Sequence, residues 1–197
     1  MSENDNINME FEARVMLDEI QYNKIRDYYI SHYSNYREIV NENSYFDTPD
    51  LYLTKHHTVL RTRTINGENK ELTLKIQLDD YCLEINHELT SNEEKALFEN
   101  GEITNERILE KLSEYEIDIS SIRLITTLKT ERIEIEFPDY LFVIDKNYYR
   151  EKVDYNLEVE STSELLAETY LKEIIAPYGV TYKKDYISKS KRAIYNL

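Results

Sequence analysis

The chain has 197 residues, 41% of them hydrophobic, which is enough to bury one good core, so a single domain over residues 1–197 is expected. A net charge of -15 repels nucleic acid and anionic membranes at long range and leaves a polyanion only those places where Lys and Arg are concentrated. Eighteen Tyr, no Trp and three Gly favour strands, and neither a P-loop nor a dinucleotide fingerprint is present. Cys82 is the single cysteine, which excludes an internal disulfide and fits a reducing, cytoplasmic compartment.

Residues 1–8 are polar and acidic without an apolar run, and read as a flexible leader rather than a signal peptide or membrane span. In Glu10-Phe11-Glu12-Ala13-Arg14, charge falls on every second residue. An extended strand therefore sends Glu10, Glu12 and Arg14 to one face and Phe11, Ala13 and Val15 to the other. Asp18 with Gln21 makes a capping box for a helix to about Tyr33, its Ile and Tyr residues at helical spacing. Tyr45-Phe46-Asp47-Thr48-Pro49-Asp50 reads as a strand running into a turn.

Val59 to Thr64 and Glu71 to Leu78 flank Asn66-Gly67 and predict an antiparallel hairpin with Leu72, Leu74, Ile76 and Leu78 on one side. Leu83 to Leu89 is a further strand. Thr90 with Glu93 caps a short helix to about Phe98, and a second helix is expected over Asn105 to Tyr115. Strands resume at Ile125 to Phe137, Tyr140 to Lys146 and Tyr155 to Ser161, the last placing Glu158 and Glu160 opposite Leu157 and Val159. A final helix is expected from Ser161 and Glu164 to about Pro177, and the basic tail Ser188 to Arg192 reads as a short strand or loop.

About eight strands, each with an apolar face and an ionic face, predict an α+β fold: an antiparallel sheet or barrel with helices packed on it. Alternation alone does not say which face is wet. Either the ionic face is solvated, or the strands curl into a barrel whose outside is covered by helices and whose ionic side lines the lumen. Crowded lumen carboxylates cost several kcal/mol each to desolvate unless cations neutralise them. An all-carboxylate set suits Mg²⁺ or Mn²⁺, while Arg61, Arg63, Lys75, Arg132 and Lys189 suit phosphate oxygens. The lumen arrangement therefore implies a metal-bound polyphosphate.

Glu10-x-Glu12-x-Arg14, Tyr45-Phe46-Asp47-Thr48-Pro49, Leu60-Arg61-Thr62-Arg63, Thr73-Leu74-Lys75, Arg132, Ile144-Asp145, Leu157-Glu158-Val159-Glu160 and Lys189-Ser190-Lys191 stand in the order that resembles the CYTH superfamily, the triphosphate tunnel metalloenzymes. The resemblance runs from about Met9 to the end. It implies an eight-stranded antiparallel β-barrel, or tunnel, with helices outside, and Mg²⁺- or Mn²⁺-dependent hydrolysis of a triphosphate-containing small molecule such as inorganic triphosphate. The same walls would serve a class IV adenylyl cyclase making cyclic AMP from ATP, or a protein that only binds polyphosphate or nucleotide. Carried over, Glu10, Glu12, Glu158 and Glu160 are metal ligands. Arg14, Arg61, Arg63, Lys75, Arg132 and Lys189 grip phosphate, and Arg14, Lys75 and Asp145 are the catalytic set. Arg14 stands where the family signature has Lys, and Thr130 where several relatives carry a second cation; Lys129 beside it faces away in a regular strand.

Overall fold

A computed structural model of the chain describes residues 6–7, 11–78, 82–185 and 187–197. Its elements in order are β1 (Asn6–Ile7), β2 (Phe11–Leu17), α1 (Glu19–His32), β3 (Tyr36–Asp47), α2 (Tyr52–Lys55), β4 (Thr58–Ile65), β5 (Glu68–Gln77), β6 (Cys82–Glu88), α3 (Ser91–Asn100), α4 (Glu106–Ser113), β7 (Arg123–Phe137), β8 (Tyr140–Tyr149), β9 (Lys152–Ser161), α5 (Glu164–Ile175) and α6 (Lys189–Tyr195). The eight strands from β2 to β9 are those the alternation predicts, in an α+β fold. Among the described residues no helix is long and apolar enough to cross a membrane.

Two compact units are built from these elements, the first from residues 1–9, 42–128 and 189–197, the second from residues 10–41 and 129–188. In the second unit the strand order is β3-β7-β8-β9-β2. Antiparallel pairing runs Lys129↔Tyr148 to Phe137↔Tyr140, Tyr140↔Ser161 to Tyr149↔Lys152, and Phe11↔Ser161 to Leu17↔Tyr155. This register lines Ala13, Val15, Ile133, Ile135, Phe142, Ile144, Leu157 and Val159 along one face, all buried. Tyr22, Ile25 and Tyr29 of α1 and Ala167, Leu171 and Ile175 of α5 cover them. Tyr29 lies 4.7 Å from Phe142 between ring centroids, and Tyr22 lies 4.7 Å from Tyr155, so the tyrosine-rich helix is packing. Each large side chain removed from water here contributes about 1.5–3 kcal/mol.

In the first unit the order is β1-β6-β5-β4-β3. The β4–β5 hairpin turns at Asn66-Gly67, whose φ values of 52 and 77 match the left-handed pair that a tight hairpin needs. Leu60, Leu72, Leu74, Ile76 and Ile85 face Leu97 of α3 and Ile108 and Leu112 of α4. The motif ending in Asp47 has a local structural cause. This buried carboxylate accepts from Leu53 N and Thr54 N, both at 2.9 Å, and from Thr54 Oγ1 at 2.6 Å, so it caps α2. Both predicted capping boxes form, at Asp18 with Gln21 and at Thr90 with Glu93.

Four expectations need correction. β3 begins at Tyr36, well before Tyr45. The cap of α5 is Ser163, because Ser161 is still paired with Tyr140 and Phe11. The basic tail is helical, as α6, not a strand or loop. Within the expected leader, Asn6 and Ile7 pair with Glu84 and Leu83.

Thr90, Thr104 and His87 hydrogen-bond the Glu93 carboxylate and hold it down to about 2 from an ordinary value of 4.5. A depressed acid contributes stability that is fully present above about pH 4.5 and lost as pH falls toward 2. Glu93→Gln is therefore expected to flatten the acid limb of stability in urea unfolding between pH 6 and 3; an unchanged limb would show that other acids carry it.

Candidate active site

The ionic face of the second unit follows from its register. Arg14 lies opposite Glu158, which lies opposite Val143; Glu12 lies opposite Glu160; Arg132 lies opposite Asp145, which lies opposite Asn156. Arg14 Nε donates to Glu158 Oε1 at 2.5 Å, its Nη2 to Glu12 Oε1 at 2.6 Å and its Nη1 to the Ile187 carbonyl at 3.2 Å. Arg132 makes a two-pronged contact with Asp145, Nε to Oδ1 at 2.9 Å and Nη2 to Oδ2 at 3.0 Å. Arg132 Nη2 also reaches Glu158 Oε2 at 3.1 Å, and its Nη1 lies 3.6 Å from Glu134. The result is a continuous ladder, Glu12–Arg14–Glu158–Arg132–Asp145.

Two of its three acids are deep, with Asp145 0% and Glu158 2% exposed. Isolated carboxylates do not persist ionised at that depth; paired with fork-shaped guanidinium groups they do. Burial works against the charge on Arg14, but Glu158 and Glu12 outweigh it and raise its pKa. Burial likewise opposes Arg132, and Asp145 with Glu158 raises it. Both are permanently cationic. Behind Asp145, Asn156 and Asn147 continue the polar row: Asn147 Nδ2 donates to Asn156 Oδ1 at 2.7 Å, and Asn147 Oδ1 accepts from Thr130 Oγ1 at 2.8 Å. Thr130 is thus spent on Asn147, and Lys129 is exposed over the Tyr148 ring, facing away as expected.

The first unit carries its own cationic face. Arg61, Arg63 and Lys75 lie on neighbouring β4 and β5. Lys75 Nζ is 2.6 Å from Glu84, and Arg63 Nε donates to Asn43 Oδ1 at 3.1 Å. Arg61 stands against the phenol of Tyr45, yet its Nε is buried with no hydrogen-bond partner. Burial raises the Tyr45 pKa, and Arg61, Arg63 and Arg192 draw it back. Lys189 opens α6, one turn before the buried Arg192. Asn43 was not singled out by sequence reasoning, and Tyr45 and Arg192 entered only as parts of a strand motif and a basic tail, with no site role. Reading the tail as a helix would have put Lys189 and Arg192 on one face, three residues apart.

Glu10 lies outside the described residues. The other three expected metal ligands, Glu12, Glu158 and Glu160, sit on paired strands within two residues of one another along each chain. Their oxygens are the donors that Mg²⁺ or Mn²⁺ takes, and acids outnumber arginines on this face, so the donor chemistry fits. Among the described residues, however, no three acids or imidazoles stand close enough to hold an ion as the side chains now lie. Glu12 and Glu158 are turned to Arg14 instead.

An antiparallel α+β fold with this ordered set of arginines and acids defines the class of protein. A model of the CYTH domain matches residues 8–190, and the chain belongs to that family. It is 33% identical over 120 residues to the "putative triphosphatase YjbK" of Bacillus subtilis (strain 168), a match spanning 61% of this chain and 61% of that protein. The crystal structure of a proposed adenylate cyclase from Bacillus halodurans superposes with a TM-score of 0.79 at 25% identity, covering 94% of this chain and 97% of that one. HpAC1 from Hippeastrum, a proposed adenylyl cyclase described as having a dominant triphosphatase activity, shares the fold with a TM-score of 0.76 at 17% identity over 95% and 96% of the two chains.

Arg132→Ala is expected to cost about 3–5 kcal/mol in urea unfolding, because it removes the two-pronged cation from the buried Asp145 and one of the two guanidinium groups from Glu158. A loss under about 1 kcal/mol, the worth of a surface pair, would show that water already compensates them.

Proposed function

We propose that the chain is a triphosphatase that uses Mg²⁺ or Mn²⁺ to hydrolyse a triphosphate-containing small molecule, inorganic triphosphate foremost. The observation that carries this reading is the half-buried Arg132, held at both prongs by Asp145 beside the Glu12, Glu158 and Glu160 set. Family membership, the likeness to YjbK and the triphosphatase activity described for HpAC1 support the same substrate class.

The proposed chemistry is mostly electrostatic. Water adds to the terminal phosphorus, the bridging P–O bond breaks, and phosphate and pyrophosphate leave. Arg132 is fixed before substrate arrives, so its remaining N–H groups meet developing charge on the transferring phosphoryl group without reorganisation. Asp145 holds that guanidinium in place. Arg14 cannot give up its proton at any working pH, so its part is to hold phosphate oxygens and not to act as a base. Arg61, Arg63, Lys75 and Lys189 of the first unit are assigned to phosphate oxygens on charge, and Arg61 has a buried Nε still to satisfy. Glu12, Glu158 and Glu160, with Glu10, would hold the divalent cation, which supplies charge neutralisation and polarisation of the phosphate when bound.

The likeness to a proposed adenylate cyclase favours one second reading, attack by the ribose 3′-hydroxyl of ATP on its own α-phosphate. One assay separates the two. Phosphate release is measured from inorganic triphosphate, ATP and thiamine triphosphate with each metal, for the wild type and Glu160→Ala. The expected result is metal-dependent release that falls by about 10²-fold or more in the variant. Cyclic AMP with pyrophosphate from ATP would replace hydrolase by cyclase. Release equal in the two proteins would overturn both.

A further inference from the structure

Arg14 spends all three guanidinium nitrogens on the protein itself, on Glu158, Glu12 and the Ile187 carbonyl. Two of these partners are carboxylates that the proposed function gives to the metal. A divalent cation binds carboxylate oxygen at roughly 2.0–2.2 Å, closer than the 2.5 and 2.6 Å at which Arg14 nitrogens stand. A cation held by Glu12 and Glu158 would compete with the guanidinium for the same carboxylates, and the positive charges would repel.

We propose that Arg14 is a built-in counter-ion that competes with the divalent cation for Glu12 and Glu158, and so sets how tightly this chain binds metal. The inference rests on the carboxylate assignment made above. It has a physical reason on the page: Glu158 is 2% exposed, and Arg132 is already committed to Asp145 with both prongs. Without Arg14, Glu158 would lose its 2.5 Å partner and share the Arg132 guanidinium with Asp145. Arg14 keeps the acids paired when no metal is present. Once displaced it carries a three-nitrogen fork with no carboxylate partner, a group suited to phosphate oxygens. Metal and polyphosphate then help each other, since each removes the competitor or supplies the new partner of the other.

The test is Mn²⁺ binding, read from the electron paramagnetic resonance of the free ion, for the wild type, Arg14→Gln and Arg14→Lys, with melting temperature recorded alongside. Losing a competitor held by charge-assisted bonds is worth about tenfold or more in affinity. Arg14→Gln is therefore expected to bind Mn²⁺ at least about tenfold tighter than the wild type. Its melting temperature should be lower in chelator and rise more on adding Mn²⁺. Arg14→Lys keeps the charge but offers one point instead of a fork, so its affinity should lie between the two; this variant also serves if Arg14→Gln does not fold. Equal or weaker Mn²⁺ binding by both variants would overturn the proposal, as would no Mn²⁺ binding by any of the three proteins. The two readings fail separately: equal binding with intact phosphate release ends only the counter-ion role, and tighter binding without phosphate release from any triphosphate ends only the triphosphatase.

Discussion

A carboxylate that is 2% exposed cannot stand alone, and Glu158 is held by a guanidinium on each side. That requirement links four strands of the second unit. Arg14 comes from β2, Glu158 from β9, Asp145 from β8 and Arg132 from β7. The register that satisfies the acids on one face is the same register that lines Ala13, Val15, Phe142, Ile144, Leu157 and Val159 on the other. A slip of one residue in any pair would send the apolar set to the ionic side and the acids into the core. Ionic and apolar faces therefore specify one alignment together, and α1 and α5 complete it by covering the apolar side.

The same economy shapes the site. A buried ion-pair ladder adds little net stability over a well-packed apolar alternative, but breaking it is costly. What it provides is preorganisation, with Arg132 fixed by Asp145 in a single orientation. The first unit holds its cations differently. Lys75 is paired with a partner across the ladder, while Arg61 keeps a buried nitrogen with nothing to bond. Such an unmet donor costs free energy in a fold, and an arriving phosphate oxygen is a natural acceptor for it.

Much of this was legible in the sequence, because the governing signals are local. Period-two alternation marked the strands from β2 to β9, Asn66-Gly67 marked the hairpin, and the Asp18–Gln21 and Thr90–Glu93 spacings marked two helix starts. The signals that failed were those that depend on partners. Ser161 looked like a cap but was claimed by two neighbouring strands. The tail from Lys189 was too short and too charged to show a helical face, since its buried side is mostly Arg192, Ala193 and Ile194. Sequence order made Arg14 and Glu158 candidates for one site, yet no local pattern could say that Arg14 would be bonded to the very acids expected to hold metal. That fact belongs to the pairing of β2 with β9, 144 residues apart at this contact.

The central claim is that the ionic face of β2, β7, β8 and β9 receives the phosphates. The most direct measurement is a crystal structure of the protein with Mn²⁺ and the non-hydrolysable analogue imidotriphosphate. The account predicts phosphate oxygens within hydrogen-bond distance of Arg132 and Arg14, with Arg14 turned off Glu12 and Glu158. Imidotriphosphate bound elsewhere, with the Arg14 contacts to both acids unchanged, would contradict it.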